Sequence, residues 1–123
     1  MKANPVCWFE IYVQEMPRAK AFYEAVLQVS LQKLPGPDLE MWSFPAAQDA
    51  FGTGGSLVQV GGMPSGGNST LVYFSCDDCA AEAGRVAVAG GRVLREKMQI
   101  GQYGFVALAY DTEGNLFGLH SLR

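Results

Sequence analysis

Glu10 stands between two large aromatics, Trp8 and Tyr12, in the run Trp8-Phe9-Glu10-Ile11-Tyr12-Val13. A carboxylate walled by aromatic rings is a candidate general base, or else the counter-charge of a cationic ligand. His120 is the chain's single histidine. Such a side chain can ligate a metal, but more often it only satisfies a hydrogen bond or faces solvent. Cys76-Asp77-Asp78-Cys79 has the spacing of a redox pair, but that chemistry needs an exposed thiol of low pKa. Two aspartates nearby push a thiol the other way, so buried structural cysteines are expected. One such motif, with only Cys7 elsewhere, is too few for a zinc ribbon. The glycine-rich stretches 52–55 and 101–104 do not lead from a strand into a helix N-terminus with a lysine, so neither reads as a phosphate cradle.

The elements that position these groups follow from periodicity. Phe9, Ile11 and Val13 alternate with Trp8, Glu10 and Tyr12, the mark of a strand between two environments. Pro17 then opens a helix to about Gln28, with Ala19, Phe22, Tyr23, Val26 and Leu27 on its buried face. Three short strands are expected over 30–34, 39–44 and 56–60, separated by Pro and Gly. The segments 46–55 and 61–68 read as mobile loops, the second as the seam between halves. A strand over 71–76 follows, then a helix over about 78–89, capped by Asp77 or Asp78 and ended by Gly90-Gly91. Strands over 92–95, 105–110 and 115–121 complete the chain, the last two joined by the turn Asp111-Thr112-Glu113-Gly114.

The whole chain narrows the classes. Its 123 residues, 49% hydrophobic, suggest one domain with a real core. A net charge of −3 with scattered Lys and Arg argues against a nucleic-acid partner. There is no apolar run near the length of a membrane span, and hence no membrane partner is expected. Residues 1–5 lack the apolar core of a signal peptide, and three cysteines read as reduced thiols of a cytoplasmic protein.

The chain also repeats itself. Sliding Trp8–Val13 onto Leu71–Cys76 superposes helix on helix and strand on strand. Two βαβββ modules, over about 5–61 and 69–122, therefore make one domain over 1–123. The expected fold is α+β: an eight-stranded curled sheet forming a cup, with two helices outside. Its inner face would carry Trp8, Glu10, Tyr12, Leu57 and Gln59 from one half. Leu71, Tyr73, Ser75, Leu116, Gly118 and His120 would come from the other.

The repeated module, the helix start Arg-Ala-Lys-Ala-Phe-Tyr-Glu (residues 18–24) and the turn Asp-Thr-Glu-Gly-Asn (111–115) resemble the glyoxalase/bleomycin-resistance/extradiol-dioxygenase (vicinal oxygen chelate) superfamily. The segment 100–121 is similar to its single-domain, glyoxalase-like bacterial members. In the metal-dependent enzymes of that superfamily, the first and last strands of each half supply His, Glu or Gln ligands to a divalent ion. The resemblance carries those positions onto Trp8, Gln59, Leu71 and Gly118, three of which have no suitable donor. No cofactor is therefore expected. An off-register metal on Glu10, Gln59 and His120 is the alternative.

What the resemblance implies is a ligand-binding protein that sequesters a cationic or aromatic compound, as antibiotic-resistance relatives do, in a cleft completed by a homodimer partner. Trp8, Glu10, Tyr12, Trp42 and Phe51 would meet the ligand, with Gln59, Leu71, Tyr73, Gly118 and His120. Glu10 would be the polar anchor. The competing reading is a lyase, isomerase or dioxygenase using the off-register metal or Glu10 as catalytic base. An interaction module, its cup filled by its own side chains, is the third.

Overall fold

The structure is a computed structural model describing residues 4–36, 38–47 and 52–123. The first half runs β1 (Trp8–Tyr12), α1 (Met16–Leu27), β2 (Gln32–Leu34), β3 (Glu40–Ser43) and β4 (Gly54–Gln59). The second runs β5 (Tyr73–Ser75), α2 (Cys79–Val86), β6 (Arg92–Gln99), β7 (Phe105–Tyr110) and β8 (Leu116–Ser121). Each half forms a four-stranded sheet of the same order, β1-β4-β3-β2 and β5-β8-β7-β6. In each, the first strand is parallel to the last and the other pairings are antiparallel. The two βαβββ modules are thus real, although among the described residues no ladder joins β1 to β5 into one continuous sheet.

Side chains join the halves instead. Tyr23 of α1 packs its ring 5.8 Å from Phe44, 5.9 Å from Phe74 and 5.5 Å from Phe117. Phe9 of β1 meets Phe74 of β5 at 6.3 Å. Rings at such tilted and edge-on spacings add to the area they bury. α1 presents Met16, Ala19, Phe22, Tyr23 and Val26 to this core, as its spacing predicts. Its last turn closes on Gln28 at φ 56, a left-handed residue that is not glycine.

α2 is capped as expected, Asp78 accepting from Ala80 N over 3.0 Å. It stops at Val86, short of the predicted end, and Gly90 closes the following turn at φ 105. β6 runs on to Gln99 past the expected Arg95, with register shifts along its pairing with β7. The glycine-rich seam is not loose. Ser65 Oγ donates to Glu113 O over 2.7 Å, and Gly66 N donates to Asn115 Oδ1 over 2.7 Å. Among the described residues no helix is long and apolar enough to cross a membrane.

Candidate functional site: two open sheet faces

The ladders decide which side chains look away from the helices. Trp8, Glu10 and Tyr12 pair with Gly54, Ser56 and Val58. Ser56 and Val58 pair in turn with Ser43 and Met41. In the second sheet Tyr73 and Ser75 pair with Gly118 and His120, which pair with Leu108 and Val106. Directly paired residues share a face. Phe9, Ile11, Leu57, Phe74, Phe117 and Leu119 belong to the core on the opposite, helix-side faces.

On the first open face Glu10 is clamped by its neighbours. Oε1 accepts from the Tyr12 hydroxyl over 2.8 Å and Oε2 from Trp8 Nε1 over 3.3 Å. That bond to Glu10 raises the Tyr12 hydroxyl above its ordinary pKa. The carboxylate itself stays exposed, and Trp8 is 43% exposed. Ser56, fully buried, has an Oγ without a hydrogen-bond partner among the described residues. Such a hydroxyl costs roughly 1–3 kcal/mol to leave unsatisfied.

On the second open face the Tyr73 ring lies over Gly118. A Cβ at that position would come within 2.3 Å of the ring, so only glycine leaves room for it. Tyr73, Ser75, Arg95, Met98, Ile100, Val106, Leu108 and His120 line a cavity of about 640 Å³. His120 Nε2 is 2.7 Å from the Tyr103 carbonyl. A carbonyl only accepts, so Nε2 bears the hydrogen and, in the neutral ring, Nδ1 is left as an acceptor.

Several predicted site residues lie elsewhere. Gln59 Oε1 accepts from Met16 N over 2.6 Å, which places Gln59 on the helix side, capping α1. Leu57, its parity mate, is in the core. The repeat explains the error. Val13 N to Val58 O and Cys76 N to His120 O are corresponding bonds of the two modules. Counting back along the ladders, Ser56, not Gln59, is the counterpart of Gly118. Trp42 also faces the helix side, its ring 4.6 Å beneath Lys20 Nζ and its Nε1 donating to Glu40. Leu71 precedes β5 and is half-buried, and Phe51 lies outside the described residues.

Trp8, Leu71 and Gly118 offer no ligand atom for a divalent ion, and Gln59 stands on the helix side while Ser56 takes the corresponding place on the open face. Among the described residues no three His, Cys, Asp or Glu side chains gather. The cysteine pair is equally unsuited to redox work. Cys79 is buried, and the Cys76 thiol is pushed up to about 12 by burial first and by the Glu82 carboxylate second.

The most elaborate polar cluster was read from the sequence only as a turn. Glu113, its side chain fully buried, accepts from Gln14 N, Glu15 N, Thr112 Oγ1 and the Arg18 guanidinium, at 2.7 to 3.0 Å. Asp111 accepts from Tyr23 OH over 2.6 Å and from Glu113 N, Asn115 N and Asn115 Nδ2. Asn115 Nδ2 also donates to Tyr12 O over 3.0 Å. This turn of the second module therefore ties down the end of β1 and the start of α1. Burial alone would raise the Glu113 pKa, but Arg18, Thr112 and the two N–H groups outweigh it and bring it to about 2. The signal available in the sequence was two carboxylates and an asparagine within five residues, far more acceptors than a hairpin needs.

Residues 6–119 match the sequence model of the Glyoxalase/Bleomycin resistance protein/Dioxygenase superfamily. The chain belongs to this superfamily. Among curated members it is 32% identical over 118 residues to CFP32, a glyoxylase by name, of Mycobacterium bovis and Mycobacterium tuberculosis. The match takes in 96% of this chain and 44% of CFP32, so the chain spans less than half the length of these relatives. Among solved structures it is similar to maize glyoxalase I, with TM-score 0.77 and 22% identity over 96% of this chain and 46% of that one. It is also similar to TnmS3, an antibiotic-binding protein from Streptomyces sp. CB03234, with TM-score 0.71, 27% identity and 98% of both chains covered. The superfamily fold, two βαβββ modules of a cup, is what the ladders show from the backbone.

Proposed function

We propose that this chain binds a small aromatic or cationic organic ligand against its open faces, without a resident divalent ion. The observation that carries this reading is the Trp8-Glu10-Tyr12 face. A carboxylate held by two flanking aromatics is pre-oriented toward a ligand at little further entropic cost. Trp8 and, on the second sheet, Tyr73 supply exposed stacking surface. The likeness to TnmS3 along its full length supports sequestration of an antibiotic-like compound.

We place the working unit as a homodimer. Trp8 on the first module and Tyr73 and Met98 on the second stay exposed in a single copy, apolar surface that a partner could cover. A second copy could cover these side chains and complete a cleft between the two. Three free thiols support a reducing, cytoplasmic setting.

Thermal-shift screening against cationic antibiotics, planar aromatics, thiol adducts and divalent ions tests the reading. A true ligand raises Tm progressively with its excess over Kd. Glu10→Gln should weaken a cationic ligand and Trp8→Ala any stacked one. If both variants bind every identified ligand as tightly as the parent, the site is elsewhere. The enzyme reading draws on the name of CFP32 and on Glu10 as a base. Turnover of a thiol adduct that vanishes in Glu10→Gln would favour it.

A further inference from the structure

The cavity over the second open face holds one permanent charge, the guanidinium of Arg95 on β6, and no carboxylate among its lining residues. Among the described residues the ion-paired cations are Arg18, Lys20, Arg85 and Lys97, and Arg95 is not one of them. Its Nη1 reaches Met98 Sδ at 3.5 Å, and a thioether is a weak acceptor. The strand is irregular in a way that aims this side chain. Val93 packs against the core and pairs with Ala109, yet Arg95 pairs with the very next residue of β7, Leu108. Two steps along β6 thus match one along β7, which is a bulge. In an unbroken strand Arg95 would share the helix-side face of Val93; the bulge turns it to the open face. A second irregularity, before the Met98–Val106 pair, brings Met98 to the same side. Lys97 points the other way, to Asp78 at the start of α2 over 2.8 Å.

The ladders set out the floor of this cavity. Arg95, Leu108, Gly118 and Tyr73 lie in one row across the four strands, with Met98 and Val106 in the next. Three strand spacings, about 14 Å of backbone, separate the ends of the first row. The guanidinium stands at one end and the Tyr73 ring, 49% exposed, at the other, with apolar side chains between. We propose that this face binds an aromatic carboxylic acid, its carboxylate in the Arg95 fork, its ring against Tyr73 and its chain over Leu108 and Val106. A guanidinium offers a carboxylate two parallel N–H donors, and the apolar chain leaves water as it covers the floor. The inference rests on the open faces being ligand surfaces, and adds that they favour opposite charges, with Glu10 on the first and Arg95 on the second.

The test uses the full chain with phenylhexanoate, phenylhexanol and phenylhexylamine, followed by calorimetry. The acid should bind saturably, and the alcohol and the amine roughly tenfold or more weaker at this face. Arg95→Gln should weaken the acid by a similar factor, as loss of a charged hydrogen bond does, and leave the alcohol where it was. Lys97→Gln removes a charge from the same strand on the other side, and should leave the acid unchanged. In the parent protein, nuclear Overhauser contacts should run from the acid to the Tyr73 ring and the Leu108 and Val106 methyls, a readout that needs no variant. Full affinity for the acid in Arg95→Gln, or an equal loss in Lys97→Gln, would overturn the proposal. Equal affinity for acid and alcohol, both in contact with Tyr73, would overturn it too but leave the open-face reading standing. Contacts to neither open face from any of the three probes would count against both.

Discussion

The Asp111–Asn115 turn and the Glu10 face are built from the same materials, carboxylates beside a tyrosine hydroxyl, and they do opposite work. In the turn, Asp111 and Glu113 are buried and surrounded by donors from β1, α1 and the turn itself. On the open face Glu10 is held, among the described residues, by its own strand neighbours and stays exposed. A carboxylate whose lone pairs are all engaged is scaffold. One that is oriented and still has capacity is available to a ligand. The contrast teaches that acidity alone does not mark a site; the unmade hydrogen bonds do.

The contrast breaks most visibly at Glu113. Glu113→Ala strips Arg18 and the Gln14 and Glu15 N–H groups just before α1 of their acceptor, and should cost about 3 kcal/mol or more of unfolding free energy, read by urea denaturation. A loss under roughly 1 kcal/mol would show that the turn is not the scaffold described. Acid should expose the same bond in the parent. The folded pKa of Glu113, about 2, lies below its ordinary 4.5. Its stabilisation is therefore complete above about pH 4.5 and is lost as pH falls toward 2. The loss should be roughly 2–3 kcal/mol, trimmed by screening because Arg18 is half exposed. Flat stability across that window would remove the assignment.

Smaller effects sharpen the comparison. Tyr23→Phe leaves Asp111 its backbone donors and should cost about 1–2 kcal/mol. Gly118→Ala drives a Cβ into the half-exposed Tyr73 ring, which can swing aside, so a cost near 1 kcal/mol is expected together with changed Tyr73 fluorescence or NMR shifts. Glu10→Gln should move stability least, by under about 0.5 kcal/mol. It should nonetheless lower the Tyr12 hydroxyl pKa toward 10, seen by ultraviolet titration. A large stability loss there would make Glu10 scaffold after all.

Much of this was legible in the residues. The alternation at 8–13, the spacing of Ala19, Phe22, Tyr23 and Val26, and the repeat read out both modules before any pairing was known. Tyr73, Gly118 and His120 lie on one open face, as expected. Gln59 does not, because the repeat was slid onto a register that the ladders do not keep, and Trp42 does not, because an aromatic beside a loop carries no local signal of the face it takes. Glu113 was missed for a different reason. Its partners are Gln14, Glu15 and Arg18, nearly the whole chain away.

By itself the sequence determined what depends on near neighbours: the helices, the strands, their order, and a fold doubled from one unit. Those follow from periodicities of 3.6 and 2 and from the residues that end each run. Tertiary structure alone decided which face each side chain occupies and which polar atoms find partners. A one-residue slip in a ladder turns a strand inside out, and a hydrogen bond across the fold depends on atoms the local pattern never sees. Glu10 and Glu113 look alike in the sequence. Their surroundings made one a scaffold and left the other open.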